Sequence, residues 1–127
     1  MSRSSPVRGA GYGEVTKWIL DKFGDELADG DIFVMNDPYM GGPTHLPDMS
    51  FLKPVFYEGE LLCFVCNQGH WADVGGKAPA QGVVGDATEC YQEGLRLPPL
   101  PLYKNGKLRE EIQELILRNT QGLACTA

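Results

Sequence analysis

Met49-Ser50-Phe51-Leu52-Lys53-Pro54-Val55-Phe56-Tyr57-Glu58-Gly59-Glu60-Leu61-Leu62-Cys63-Phe64-Val65-Cys66 is the stretch that decides how this chain folds. Two apolar runs flank Glu58-Gly59-Glu60, a segment of the kind that reverses a chain. The spacing predicts strands over 49–56 and 61–66 joined by a tight turn. Strands joined by so short a connection pair antiparallel. Upstream, Ile32-Phe33-Val34-Met35 follows the turn signal Asp29-Gly30-Asp31 and reads as a third, buried strand within 31–36. Val15, Trp18, Ile19, Lys22 and Phe23 recur at helical spacing over 14–23, and Gly24 is a natural stop. Leu108, Ile112, Leu115 and Ile116 repeat at i, i+4, i+7 and i+8 and predict an amphipathic helix over 108–119. Glu110 and Glu111 in its first turn and Arg118 in its last suit the helix dipole. The expected class is α+β: a small mixed or antiparallel sheet with two flanking helices and long Gly/Pro-rich loops.

Those loops are visible in the composition. The 127 residues include 16 glycines and 9 prolines, well above ordinary usage. Residues 67–101 read as mostly irregular, and Lys104-Asn105-Gly106-Lys107 as a further turn. An irregular stretch of about 35 residues in one small domain is either functional or part of something larger. The formal charge of −6 argues against a general nucleic-acid binder, which needs a basic surface to displace counterions from phosphates. No apolar run approaches the ~18 residues that span a bilayer, so no membrane association is expected. The two positive charges in residues 1–8 are followed by no apolar stretch, unlike a secretory signal. With four cysteines and no such signal, reduced thiols and a cytoplasmic location are expected.

The chemistry-bearing residues cluster after the first strand, in Asn36-Asp37-Pro38-Tyr39-Met40-Gly41-Gly42-Pro43-Thr44-His45-Leu46-Pro47-Asp48. The pattern His-x-x-Asp occurs twice, as His45/Asp48 and His70/Asp73, each beside a strand. Two imidazoles and a carboxylate suit a divalent first-row metal with positions left open for water or substrate. The same pattern can equally be a hydrogen-bonded turn. Cys63-x-x-Cys66 has no second Cys-x-x-Cys to complete a zinc site. Residues three apart on a strand face opposite ways, so these two read as small buried hydrophobes. Gly41-Gly42 and Gly75-Gly76 supply turn geometry or a close approach to a ligand. Neither a phosphate-binding Gly-x-x-x-x-Gly-Lys-Ser/Thr loop nor a Gly-x-Ser-x-Gly nucleophile turn is present in the sequence.

Several blocks taken together resemble the hydantoinase B / 5-oxoprolinase family, which also contains acetone and acetophenone carboxylase alpha subunits. They are Gly30 to Tyr39, Gly41-Gly42, His45-Leu46-Pro47-Asp48, His70-Trp71-Ala72-Asp73-Val74-Gly75-Gly76, Asp86-Ala87-Thr88-Glu89 and Gln92 to Pro99. The resemblance implies an ATP-dependent hydrolase of cyclic amides or, alternatively, an ATP-dependent ketone carboxylase. It implies a divalent metal (Mn, Zn or Fe) held by His45, Asp48 and His70. Asp73 is then expected to orient His70 by accepting its free ring N–H, and Asp37 and Asn36 to line the same pocket. Groups that act directly on substrate are left unassigned. ATP would be used by a partner, a hydantoinase-A-like subunit, with a small cyclic amide or ketone as substrate. The sequence departs from the family run Gly-Gly-Thr-His by placing Pro43 before Thr44. Family subunits are several times longer, so residues 13–119 are expected to be an N-terminal segment of one. Residues 1–12 would be a flexible lead and 120–127 a tail unlike the family. Alone, such a piece is expected to be inactive, or a remnant that only mediates subunit association, and its exposed strand edges favour oligomers.

Overall fold

A computed structural model describes residues 12–43, 45–71, 74–76 and 94–120. The elements are α1 (Tyr12–Phe23), β1 (Ile32–Met35), β2 (Asp48–Tyr57), β3 (Glu60–His70), β4 (Leu100–Lys104), β5 (Lys107–Leu108) and α2 (Glu110–Arg118), with single 3-10 turns at Gly24–Glu26 and Pro38–Met40. The five strands form one sheet in the order β3-β2-β1-β4-β5, and every pairing is antiparallel. The α+β architecture read from the sequence is therefore the one observed, with the sheet wholly antiparallel.

The central hairpin forms where expected. Tyr57 pairs with Glu60 across a two-residue turn, and Glu58 (φ 50°) and Gly59 (φ 80°) both adopt the left-handed conformation that matches the twist of the flanking strands. Asn105 (φ 54°) and Gly106 (φ 78°) do the same between β4 and β5. The last helix begins later than the periodicity predicts, at Glu110, because Leu108 pairs with Tyr103 as part of β5. Two longer strands also differ from the sequence reading. First, β3 continues four residues past Cys66, to His70, because Asn67 to His70 pair with Phe51 to Asp48 of the long β2. Second, β4 lies in the stretch read as irregular. Pro98, Pro99 and Pro101 look like breakers, yet Pro101 sits at the register shift of the β1–β4 pairing and beyond β5, which reaches only Tyr103 and Lys104. Proline is tolerated at such an irregularity.

Alternation along the strands divides the apolar residues between two faces. On one face Phe33, Met35 and Leu52 pack with Val15 and Ile19 of α1. On the other, Val34, Met49, Leu46, Val74 and Leu97 pack with Ile116 of α2. One helix thus covers each side of the sheet. Tyr12, placed in the flexible lead by the sequence reading, is the first residue of α1. The rest of that lead (1–11) and the tail from 121 onward lie outside the described residues. Cys63 and Cys66 are free thiols and both residues are exposed rather than buried, because β3 is the outer strand of the sheet. Cys90 and Cys125 fall outside the described residues.

Candidate metal centre

Asp48 opens β2 and His70 closes β3, and the two are direct cross-strand partners. Directly paired residues project from the same face of a sheet. That face is the one under α1, which carries Ser50 and Leu52 next along β2. His45 reaches the same point from the loop before β2. Several contacts fix the loop. Asp48 N–H donates to the His45 carbonyl (3.1 Å), and Trp71 N–H donates to the Pro47 carbonyl (2.7 Å). Leu46, between His45 and Pro47, is wholly buried on the opposite face, so its side chain anchors the loop while His45 turns the other way.

The resulting trio is tight. His45 Nε2 lies 3.1 Å from Asp48 Oδ2, and His70 Nδ1 lies 3.2 Å from Asp48 Oδ1. The imidazole centroids are 5.4 Å apart and tilted by 46°, and one donor atom from each residue lies within 4.8 Å of the others. The Asp48 side chain is 4% exposed, His45 23% and His70 45%. The carboxylate is thus the floor of the site and the imidazoles its walls. Pro43 does not keep His45 from this position.

Two buried atoms of the trio are left without a hydrogen-bond partner: Asp48 Oδ2 and His45 Nδ1. The His45 Nε2–Asp48 Oδ2 approach is close, but its alignment does not make a hydrogen bond. A buried carboxylate oxygen without a donor is costly, and a cation relieves that cost. Donor atoms bound at about 2.1 Å to one ion lie roughly 3 Å apart when the bonds are near right angles, as His45 Nε2 and Asp48 Oδ2 are. Two imidazole nitrogens with carboxylate oxygen could hold Mn²⁺, Fe²⁺ or Zn²⁺, since this donor mixture suits all three. The residues present therefore fit the implied metal.

Asn36 and Asp37, expected beside the trio, each have hydrogen-bond partners of their own. Asn36, fully buried, ties three strands of chain together. Its Nδ2 donates to the carbonyls of Leu46 (3.0 Å) and Leu95 (2.6 Å), and its Oδ1 accepts from Leu97 N–H (2.6 Å). It thus holds the residue next to His45 and is not itself one of the clustered donors. Asp37 Oδ1 accepts from Tyr39 N–H (2.9 Å), and its Oδ2 accepts from Arg96 Nε (2.8 Å). Asp73 lies outside the described residues.

Three neighbours escaped the sequence reading. Ser50, fully buried, shares a 2.7 Å hydrogen bond with the Tyr12 hydroxyl. Burial, with smaller contributions from Cys66 and the Asp48 charge, outweighs the lowering effect of the Ser50 hydrogen bond and pushes the Tyr12 phenol up to about 12. Tyr12 can lie here because position 42 is glycine: its φ is 92°, and a Cβ would come within 3.0 Å of the Tyr12 ring. Gln68, directly across from Ser50, has a buried Nε2 without a partner. The period-2 alternation of a strand continued through His70 would have found Ser50 and Gln68 beside Asp48 and His70.

The family model for hydantoinase B/oxoprolinase matches residues 2–125. The chain belongs to this family. It is 46% identical over 109 residues to caprolactamase subunit beta of Pseudomonas jessenii, a match that covers 85% of this chain and 18% of that protein. It is 37% identical over 103 residues to the acetophenone carboxylase delta subunit of Aromatoleum aromaticum, covering 81% of this chain and 15% of that one. The crystal structure of the ATP-dependent caprolactamase from P. jessenii superimposes with a TM-score of 0.75 at 44% identity, over 85% of this chain and 18% of the other. This chain thus spans less than a fifth of the length of these family members. Among its described residues, no helix is long and apolar enough to cross a membrane.

Proposed function

We propose that this family member is the metal-bearing segment, residues 13–119, of an ATP-dependent cyclic-amide hydrolase. The observation that carries this reading is the convergence of His45, Asp48 and His70 around a buried carboxylate oxygen that has no other partner. A divalent cation held by these three residues supplies polarisation of an amide carbonyl or activation of a water. The chain's own residues do the rest. Asp48 holds negative charge at the floor of the site. The turn at Leu46–Pro47 aims His45, and the β2–β3 pairing aims His70. Asn36 keeps the His45 loop on the sheet. Asp73 is assigned the orienting of His70. ATP is assigned to a partner of the hydantoinase-A type, in keeping with the relatives' description as subunits, and the assembly is taken to be an oligomer in the cytoplasm.

Elemental analysis of the purified chain tests this. The wild type is expected to carry about one equivalent of Mn, Fe or Zn, and His70→Ala less than about a tenth of one. A wild type with less than about a tenth of an equivalent, unchanged by His70→Ala, contradicts the reading. The acetophenone carboxylase relative supports a second one, in which the same site serves ketone carboxylation. A ketone-dependent ATPase in the reconstituted complex, with no action on cyclic amides, selects it.

A further inference from the structure

Tyr12 opens α1, and its side chain touches two pieces of chain that lead into the metal centre. Its hydroxyl lies 2.7 Å from Ser50 Oγ, and Ser50 is two residues from Asp48 along β2. Residues two apart on a strand share a face and stand about 7 Å apart. Its ring lies against Gly42, where a Cβ would stand 3.0 Å from Tyr12 Cε1. Gly42 is three residues ahead of His45. The loop that carries His45 is therefore gripped from both sides of the sheet. On the side of α2, Leu46 is buried in the core and Asn36 Nδ2 donates to its carbonyl. On the side of α1, where Tyr12 packs with Val15, Ile19 and Met35, the Tyr12 ring meets Gly42.

Both contacts are specific to a tyrosine. Ser50 is fully buried, and the phenol is the partner of its hydroxyl; an apolar side chain at position 12 would leave that buried hydroxyl unpaired. Burial holds the Tyr12 phenol up at about 12, so it keeps its proton at neutral pH and sets no second negative charge beside Asp48. Position 42 is matched to the ring in turn, since an alanine there would meet it and would be strained by its own φ of 92°. Donors held in place before an ion arrives bind it more tightly than donors that must first be ordered. We infer that Tyr12 is a positioning residue of the metal centre: its ring seats the loop that carries His45, and its hydroxyl locks α1 to the strand that carries Asp48. This rests on the metal reading above and extends it to what preorganises the site.

The test titrates the metal-free chain with Zn²⁺ and follows the His45 and His70 ring signals by NMR. Tyr12→Ala is expected to weaken zinc binding about tenfold, as loss of a group that orients metal ligands does. Tyr12→Phe keeps the ring on Gly42 and is expected to restore most of that affinity. In metal-free Tyr12→Ala the His45 signals are expected to change more than those of His70, because His70 is held by its pairing with Asp48. Tyr12→Leu lacks both the flat ring and the hydroxyl; it is expected to weaken binding too, and is read in place of Tyr12→Ala should that variant not fold. Ile19→Ala is the control for a merely structural role. Ile19 is fully buried on the inner face of the same helix, so its truncation is expected to lower the melting temperature at least as much and to leave zinc affinity within about twofold of wild type. Zinc affinity unchanged in Tyr12→Ala and Tyr12→Leu, an equal loss in Ile19→Ala, or a Tyr12→Phe that binds no more tightly than Tyr12→Ala overturns the inference and leaves the metal reading standing. A wild-type chain that takes no zinc removes the metal reading and this inference with it.

Discussion

Asp31 and Asp48 are both buried carboxylates at the ends of strands, and they are satisfied in opposite ways. Asp31, fully buried, precedes β1. Its Oδ2 accepts from Lys104 Nζ (2.8 Å) and Ala28 N–H (2.9 Å), and its Oδ1 accepts from Asn105 N–H (2.9 Å). Lys104 also donates to the Glu26 carbonyl. This carboxylate pins the β4–β5 turn to the chain ahead of β1, and its capacity to accept is well used. Asp48 has two imidazoles nearby and an oxygen left over. One site is closed and structural, while the other is open and suited to a cation. Burial of a charge alone does not distinguish function from architecture; the state of its partners does.

The largest effect expected from this contrast is on metal content. Asp48→Asn should lower affinity for Zn²⁺ by more than about 100-fold, whereas Asp31→Asn should leave it unchanged; titration of the metal-free proteins reads both. Stability should respond the other way round. Asp31→Ala leaves two backbone N–H groups without their acceptor and takes the carboxylate from Lys104, and is expected to cost about 3 kcal/mol in denaturant unfolding. Asp48→Asn in metal-free protein should stay within about 1 kcal/mol of wild type. Equal stability losses at the two positions would erase the distinction.

Asn36 sharpens the contrast from the side of the site's support. Asn36→Ala leaves Leu97 N–H and the Leu46 and Leu95 carbonyls without their partner. About 2 kcal/mol of stability should be lost, with weaker Zn²⁺ binding as the loop carrying His45 loosens.

The outline of the fold was legible because local signals and tertiary packing agree. Ile32 to Met35 and the Met49–Cys66 hairpin carry strand patterns that the sheet simply realises. β4 was hidden because Pro98, Pro99 and Pro101 speak against a strand locally, while the pairing with β1 tolerates Pro101 at a register shift. The far end of β3 was hidden because Asn67-Gln68-Gly69-His70 has no apolar alternation; only its pairing with β2 makes it a strand. The same blind spot concealed Ser50 and Gln68, whose importance depends on which face they share. The buried role of Asp31 could not be read either, since its cation lies 73 positions away in the chain. The two His-x-x-Asp pairs, His45/Asp48 and His70/Asp73, stood out by residue type and spacing; the family resemblance singled out His45, Asp48 and His70, and the fold brings those three together.

The smallest effect concerns acid. Burial pushes the Asp31 carboxyl up, but the Lys104 ammonium and the Asn105 and Ala28 N–H groups outweigh it, so the group sits below its ordinary value of 3.8. A carboxyl depressed in the folded state contributes its stability above the unfolded value and loses it as pH falls through the folded one. Wild-type protein should therefore lose stability below pH 3.8, by at most about 1.4 kcal/mol per pH unit from this group. Asp31→Asn should flatten that limb, and thermal melts from neutral pH downward would register it.

The central claim is that both histidines of the chain and Asp48 bind one ion, and because the sequence contains only His45 and His70, their imidazole nitrogens can be followed by NMR without ambiguity. Titrating metal-free protein with Zn²⁺ should shift the signals of both rings together and stop at about one equivalent, with no such shift in Asp48→Asn. A single ring responding, or neither, would contradict the account.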